Sequence, residues 1–295
     1  MDPLKKFANL REKPLLLLSL PEVNRVASLT VKDALSGKKE NELDVILQTP
    51  GGDIDAAFCI IKLLRNHAAK INIFVPWYAK SAGTLICLGA DRICLSELSE
   101  LGPLDSQIHE RQDGDSGTYK SALNGFKALD QIQNHAFEVL DAATKIIASR
   151  SDLKMSEAIG LAIEFVAKTA GNLYAKLDPM VIGAYTRALE VGENYGVRVL
   201  THYMKWNNQK ASQVVKSLVR DYPSHEFVID LDELTRLGLP VHEISADELP
   251  LVEEIGKMIA SEQTPQICFV KNDVKTAPEP AQQLVEAKKK QAAHA

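Results

Sequence analysis

The chain has 295 residues, and its 34 Lys and Arg against 39 Asp and Glu give a formal net charge of −5. This length suits one large domain or a domain with an extension, and the lack of a basic excess argues against a nucleic-acid partner. In chain order, the polar residues 1–13 predict a loose start. A strand is predicted over Leu15 to Ser19 and a helix over Glu22 to Leu35.

The most regular pattern runs from Leu43 to Ile108. It reads as strand, glycine turn, helix, strand, serine turn, helix and strand, which predicts two crossover units in one parallel sheet. The predicted pieces are a strand at Leu43 to Thr49, the break Pro50-Gly51-Gly52, a helix from Ala56 to Leu64, a strand at Ile71 to Val75, the turn Ala79 to Gly83, a helix at Thr84 to Leu88 and a strand at Arg92 to Leu95.

Beyond this stretch the pattern is mainly helical. A charged, glycine-rich stretch over residues 111–118 predicts a flexible loop of the kind that acts as a lid. Predicted helices follow at 120–150, 156–167, 179–191, 195–206, 211–220, 231–237 and 247–259, with a short strand at 225–229. After Lys271 the tail lacks a core pattern, which predicts disorder.

Both turns of the central stretch fall at the carboxyl ends of strands, where open α/β sheets bind ligands. Glycine amides in the first turn can approach a substrate closely because no Cβ blocks them. In the second turn, Ser81 precedes a helix whose free amides favour developing negative charge. A serine beside free amides suits acyl transfer, which needs a nucleophile and an oxyanion hole. The structural alternative for Ser81 is a helix N-cap.

Three motifs in this order carry a family resemblance: PGG at Pro50 to Gly52, KSAGT at Lys80 to Thr84 and ELGPLDSQI at Glu100 to Ile108. Together they resemble the serine dehydrogenase proteinase family, which is similar to signal peptide peptidases and, more remotely, to caseinolytic proteases. The resemblance implies an α/β, crotonase-like (Clp/crotonase) fold: a repeated β-β-α spiral with a mainly helical C-terminal extension.

The expected division is a crotonase-like serine peptidase core at 1–200, a helical extension at 201–270 and a disordered tail at 271–295. The resemblance also implies a serine endopeptidase that cleaves unfolded or membrane-derived peptides. Ser81 would be the nucleophile, and the amide of Ala82 with that of Gly51 or Gly52 would form the oxyanion hole. Which of the two glycines contributes stays open at this stage.

The general base is harder to assign. Caseinolytic proteases use a histidine whose place falls here near Pro103 to Asp105, where there is none. His109 comes several positions later, at the start of the predicted loop, and reads as a solvated side chain. Asp105 could orient a base or hold the loop. The lone histidines His225 and His242 are more often structural than catalytic.

Signal peptide peptidases use a lysine base, which the archaeal members place about forty residues after the serine. Lys120 lies 39 residues after Ser81, at the start of the predicted long helix. A buried lysine can lose its proton near neutral pH because desolvation disfavours the charged form. We therefore predict a Ser81–Lys120 dyad, with Lys127 as the second candidate. Lys80 is not expected to be the base, since adjacent residues on an extended segment point apart.

Two other functions compete with the peptidase. A non-catalytic oligomeric scaffold of the same fold fits the missing histidine. A crotonase-type acyl-CoA enzyme would need acidic catalytic residues, and the serine turn argues against it. No pyridoxal phosphate motif or metal-ligand spacing is present, so neither a cofactor nor a metal site is expected.

The expected partners are a peptide or unfolded protein substrate and further copies of the chain, because crotonase-like proteins usually form homo-oligomers. The four cysteines are predicted to be free, mainly buried thiols in a reducing compartment. No apolar run reaches the length of a membrane span. The sequence thus predicts a cytoplasmic protein, and peripheral membrane association stays open because the resembling peptidases often work at membranes.

Overall fold

A computed structural model describes residues 2–37, 39–104, 107–110, 118–260 and 264–272 of the chain. For 107–110 and 118–121 it describes the backbone. The helices are α1 (Pro3–Arg11), α2 (Arg25–Ala34), α3 (Ile54–His67), α4 (Ala82–Leu88), α5 (Ala122–Arg150), α6 (Met155–Tyr174), α7 (Pro179–His202), α8 (Asn208–Arg220), α9 (Leu231–Arg236) and α10 (Leu249–Ala260).

The strands are β1 (Leu15–Ser19), β2 (Glu40–Gln48), β3 (Ala68–Val75), β4 (Tyr78–Ala79), β5 (Arg92–Leu95), β6 (Glu100–Leu101), β7 (Gln107–Glu110), β8 (Thr118–Ser121), β9 (Val241–Glu243) and β10 (Gln266–Val270). Six of them form one sheet in the order β10-β1-β2-β3-β5-β9. All neighbours are parallel except β10, which runs antiparallel to β1. The predicted parallel sheet is therefore present.

A second row of short pairings crosses the carboxyl ends of the long strands. β4 pairs with β6, and isolated bridges join Val23 to Gly52, Thr49 to Ala79 and Leu101 to Ile229. Each long strand is thus followed by a short extended piece that pairs with the next one along. This is the repeated β-β-α arrangement that the motifs predicted.

Helices cover both faces of the sheet, which explains why β1 is apolar along most of its length and buried at all five positions. The larger core lies between the sheet and α2, α3, α4, α7 and α8. A smaller core lies on the opposite face, where α1 and α10 pack over Ile46 and Phe74. There the Arg11 guanidinium bonds to the buried carboxylate of Asp44 at 2.8 Å and to Glu248 at 2.7 Å, which links α1, β2 and the start of α10.

The long hairpin formed by α5 and α6, residues 122–174, is built differently, and we call it the arm. No described side chain of α5 between residues 127 and 150 is buried, and α6 buries only Ala158, Ala162 and Ala170. Large apolar side chains remain exposed along it: Phe137, Ile146, Leu153, Met155, Ile159, Leu161, Ile163, Phe165, Leu173 and Tyr174. The arm therefore has a seam of alanines and an apolar exterior.

The prediction of two helices separated by a glycine break, at 179–191 and 195–206, is wrong. Residues 179–202 form the single helix α7, which contains Gly192 and Gly196. A Cβ on Gly196 would lie 2.7 Å from Cγ1 of Val215, and one on Gly192 would lie 3.0 Å from the Leu104 carbonyl. These glycines let neighbouring elements approach α7 closely.

The structure also differs from the expectations for residues 1–13 and for the segment 201–270. Residues 3–11 form α1, with Leu4, Phe7 and Ala8 buried, and are not loose. The segment 201–270 is mainly helical but also supplies β9 and β10, the two edge strands of the sheet. It therefore completes the core sheet, so the proposed division at residue 200 separates strands of one sheet. Residues 111–117 and 273–295, predicted as a loop and a tail, lie outside the described residues.

Candidate active site

The turn between β4 and α4 holds Ser81 in an unusual backbone conformation. Its φ is 48° and its ψ is −113°, where L-residues other than glycine are strained by about 1–3 kcal/mol. Ser81 occupies the N-cap position of α4, yet its side chain makes no capping hydrogen bond. Its side chain is half-buried, whereas residues 82–88 are all buried. The capping reading of the Ser81 hydroxyl is therefore not supported.

Hydrogen bonds on both sides fix this turn. The Lys80 N–H donates to the Thr49 carbonyl at 3.0 Å, and the Gly83 N–H donates to the Lys80 carbonyl at 2.7 Å. The buried Thr84 hydroxyl oxygen lies 2.9 Å from the Ala79 carbonyl oxygen and accepts from the Gly102 N–H at 3.1 Å. Such over-determination is what keeps a strained residue in place.

The first turn lies directly against the second. Gly51 and Gly52 both have positive φ, 117° and 140°. A Cβ on Gly51 would stand 2.9 Å from the Cβ of Ser81, and one on Gly52 would stand 2.3 Å from the Val23 carbonyl oxygen. The two glycines are therefore required by backbone conformation and by close approach, and they bring the first turn into contact with Ser81.

The amides of these turns differ in their engagement. The Gly51 N–H donates to the Thr49 hydroxyl at 3.2 Å. The amides of Gly52 and Ala82 have no hydrogen-bond partner within the described ranges. The amides of Gly52 and Ala82 are therefore donors that a substrate oxygen could use, whereas the Gly51 amide is already bonded to Thr49.

Lys80, next to the serine, is buried and paired. Its ammonium lies 2.9 Å from Oε1 of Glu100, and Nζ also approaches the carbonyls of Glu226 and Phe227. This environment agrees with the expectation that Lys80 is not a proton acceptor for Ser81.

The two lysines proposed as bases lie on different elements. Lys120 is on β8, opposite Ile108 of β7, and the long helix begins two residues later at Ala122. The expectation that Lys120 starts the helix is therefore wrong, because the β7–β8 hairpin extends through it; its side chain lies outside the described structure. The Lys127 ammonium donates to the Tyr222 carbonyl at 2.9 Å.

The remaining candidates are scattered. Asp53 is the N-cap of α3, where its side chain accepts hydrogen bonds from the amides of Asp55 and Ala56. His109 lies on β7 rather than in a loop, and Asp105 lies outside the described residues. His242 is exposed on β9 at the sheet edge, where partial desolvation, followed by the charge of Arg92, lowers its pKa. His225 is half-buried, in the segment that precedes Ile229.

Sequence reasoning missed the polar contacts that support the site. Thr49 and Thr84 are fully buried and bond to the backbone of the two turns. Tyr195 of α7 donates its hydroxyl to Asp55, just beyond the glycine turn, at 2.6 Å, and this bond raises the pKa of Tyr195. Thr84 stands inside the KSAGT motif and could have been suspected; the Tyr195 contact spans 140 residues and left no local signal.

All four cysteines are free, as expected, with Cys87 and Cys94 buried, Cys59 half-buried and Cys268 exposed. Burial raises the pKa of the Cys94 thiol to about 12. In the part of the chain that the structure describes, no group of His, Cys, Asp and Glu side chains is arranged to hold a metal ion. None of the described helices is long and apolar enough to cross a membrane. The cytoplasmic location stays a prediction.

Comparison with known proteins confirms the resemblance drawn from the motifs. Residues 28–156 match the family of ClpP-like SDH-type serine proteinases. This range includes both turns, Ser81 and the β7–β8 hairpin, and the α/β fold is accordingly ClpP-like.

Two uncharacterized proteins of Methanocaldococcus jannaschii are similar in sequence. One is 29% identical over 219 residues, which is 74% of this chain and 60% of the relative. The other is 24% identical over 241 residues, 81% of this chain and 61% of the relative. The chain thus spans about three fifths of the length of these curated relatives.

Solved structures align more distantly. An alanine variant of the membrane-bound stomatin-specific protease 1510-N, in complex with a substrate peptide, has a TM-score of 0.43 and 13% identity, covering 90% of this chain and 91% of that one. ClpP1 from Listeria monocytogenes has a TM-score of 0.38 and 12% identity, covering 80% and 94%.

Proposed function

We propose that this protein is a serine endopeptidase with Ser81 as its nucleophile. The observation that carries the proposal is the strained, uncapped Ser81, which lies against the glycine turn and beside the unengaged amides of Gly52 and Ala82. A helix-capping role would explain neither the strained backbone of Ser81 nor the lack of a capping hydrogen bond from its hydroxyl. Membership of residues 28–156 in a serine proteinase family supports the same reading.

In the proposed reaction, the Ser81 hydroxyl attacks the carbonyl carbon of a peptide bond. The carbonyl oxygen becomes an oxyanion, which the amides of Gly52 and Ala82 stabilise. The base that accepts the serine proton returns it to the leaving amine, and the acyl-enzyme is then hydrolysed by water that the same base activates. We favour Gly52 over Gly51 because the Gly51 amide is already bonded to Thr49.

We propose Lys120 as the base. The ammonium of the second candidate, Lys127, donates a hydrogen bond to the Tyr222 carbonyl, so a structural contact already accounts for that side chain. Lys120→Ala should therefore lower the rate of hydrolysis at least about a thousandfold, and Lys127→Ala should lower it much less. The reverse order of effects would transfer the role to Lys127.

The deciding experiment compares hydrolysis of a labelled, unfolded casein by the wild-type chain and by Ser81→Ala. Ser36→Ala, an exposed serine outside the site, is the matched control. We expect cleavage by the wild type and the control, and a loss of about 10⁴-fold or more in Ser81→Ala. Equal cleavage by all three would refute the proposal, and no cleavage by any would favour the non-catalytic scaffold.

We further propose that the protein forms a homo-oligomer through the arm. Its exposed apolar side chains present on the order of 800 Å² per copy, the amount each partner contributes to a standard protein interface. Residues 127–174 carry five Lys and Arg and six Asp and Glu. This balance suits a second copy better than an anionic membrane, which selects a basic polar face.

Light scattering tests this proposal. Ile159→Glu and Ile163→Glu, both on the exposed side of α6, should shift the mass toward the monomer. Asn172→Glu on the same helix should leave it unchanged. A wild-type protein that is monomeric at high micromolar concentration would exclude the arm as an oligomer interface.

A further inference from the structure

We propose that Lys80 is the positioning residue for Ser81, because its buried ammonium anchors the strained turn to β6 and to the backbone of residues 226–227. The inference rests on the proposed function, since it gives Lys80 a task in the reaction of Ser81. It adds a residue whose role is neither nucleophile, oxyanion donor nor base.

The groups around Lys80 compensate the burial of its ammonium. The residue is 6% exposed, and a buried ammonium is tolerated only where charge and hydrogen-bond acceptors compensate its desolvation. Glu100 supplies the charge at 2.9 Å. The carbonyls of Glu226 and Phe227 supply further acceptors at 3.4 and 3.3 Å.

Space for the side chain is also reserved. A Cβ on Gly102 would lie 2.6 Å from Cδ of Lys80 and 3.3 Å from its Cβ. Gly102 does not have a positive φ, so its backbone conformation does not require glycine. The absence of a side chain at this position therefore serves the passage of the Lys80 stem to Glu100.

The main chain of Lys80 transmits this anchoring to the reacting groups. Its N–H bonds to Thr49, which also holds the Gly51 amide, and its carbonyl accepts from Gly83 at the start of α4. Ser81 and the free amide of Ala82 lie between these bonds. A displacement of Lys80 therefore moves the nucleophile and one oxyanion donor relative to the glycine turn.

The same side chain joins the turn to a distant part of the chain. Residues 226–227 precede Ile229, which bridges to Leu101 of β6, and Lys127 holds the Tyr222 carbonyl of the same segment. The segment 222–229 is thus tied by one lysine to the arm and by the other to Ser81. Lys80 therefore connects the segment 222–229 to the turn that holds Ser81.

The test uses the full chain with Lys80→Met, and Lys70→Met as the control at an exposed lysine of β3. Cleavage of a labelled, unfolded casein gives kcat and KM across pH, and thermal unfolding checks the fold. We expect kcat to fall about 30- to 100-fold, as for displaced reacting groups. KM should change by less than about twofold, and the midpoint of the acid limb should stay in place because Lys80 transfers no proton.

An unchanged kcat overturns the inference, and so does a displaced or lost acid limb, which would make Lys80 the base. If Lys80→Met does not fold, Gly102→Ala replaces it, because the new Cβ displaces the lysine stem while its charge remains. We then expect kcat to fall about tenfold, and a wild-type kcat overturns the inference. A wild-type protein without Ser81-dependent cleavage overturns the proposed function, and this inference with it.

Discussion

Around Ser81 every residue of α4 is buried, whereas in the arm no described side chain between residues 127 and 150 is. The turn stores strain, and the packed sheet around it supplies the stability that strain requires. Two helices with so little burial gain little from tertiary packing, the main source of helix stability in proteins. The described residues outside 122–174, which we call the body, can therefore hold the strained turn through their own packing. The arm leaves apolar side chains exposed that a further protein surface could cover.

The sharpest contrast is expected from truncating one apolar residue in each region. Leu17→Ala, at a position 2% exposed in the body, should lower the free energy of unfolding by about 3–4 kcal/mol. Ile163→Ala in the arm, 53% exposed, should change it by less than about 0.5 kcal/mol. Urea unfolding of dilute, monomeric protein measures both, and equal losses would mean that the arm is packed as tightly as the body.

Glycines allow the same contrast inside helices. Gly196→Ala should destabilise by about 1–3 kcal/mol, because its Cβ would collide with Val215. Gly183→Ala in the same helix meets nothing within 4 Å and should stabilise by about 0.5–1 kcal/mol. Thermal or urea unfolding checks the two signs. A stabilising Gly196→Ala would show that α7 and α8 do not approach this closely.

Removing the strain should raise stability while it removes activity. Ser81→Gly should stabilise the protein by about 1 kcal/mol, since glycine accepts positive φ without strain. Lys205, at φ 59° and remote in sequence from the motifs, is the control: Lys205→Gly should also relieve strain but leave hydrolysis intact. A destabilised, inactive Ser81→Gly would show that Ser81 is not strained in solution.

The smallest effect concerns acid. Burial would raise the pKa of Glu248, but its hydrogen bonds with Ser245 and the charge of Arg11 lower it. Burial would likewise raise the pKa of Glu42, but hydrogen bonds from Asn72 and Lys13 and the charge of Lys13 lower it. Lowered carboxyl pKa values stabilise the fold above about pH 4.5, and this stabilisation is lost as the pH falls through the folded values. Arg11→Met should reduce the slope of unfolding free energy between pH 5 and 3, whereas Lys5→Met should not.

Local patterns were sufficient for the elements around Ser81. Both β1 and β5 have the predicted bounds, because apolar runs framed by prolines, glycines and charges leave few alternatives. The contact between the two turns was also foreseeable from the strand order. Gly192 was misread as a helix break because a glycine that ends a helix and one that admits a neighbouring backbone, here the Leu104 carbonyl, look alike without the neighbour.

The parts that could not be predicted depend on partners far along the chain. Residues 3–11 look polar, and they become a helix because Phe7 packs against Phe74, with ring centroids 5.0 Å apart. β10 is no shorter than β1 but was not predicted, and its pairing with β1 defines it as a strand. Likewise, nothing in KSAGT indicates that Lys80 reaches Glu226, since that contact spans 146 residues.

The pairing of Leu15 with Val270 has a consequence during protein synthesis. β1 leaves the ribosome some 250 residues before its partner strand β10. At a translation rate of roughly 5–20 residues per second, the apolar strand LLLLS keeps one open edge for on the order of 10–50 seconds. An unpaired apolar edge is a template for aggregation, so the nascent chain carries such a template throughout that interval.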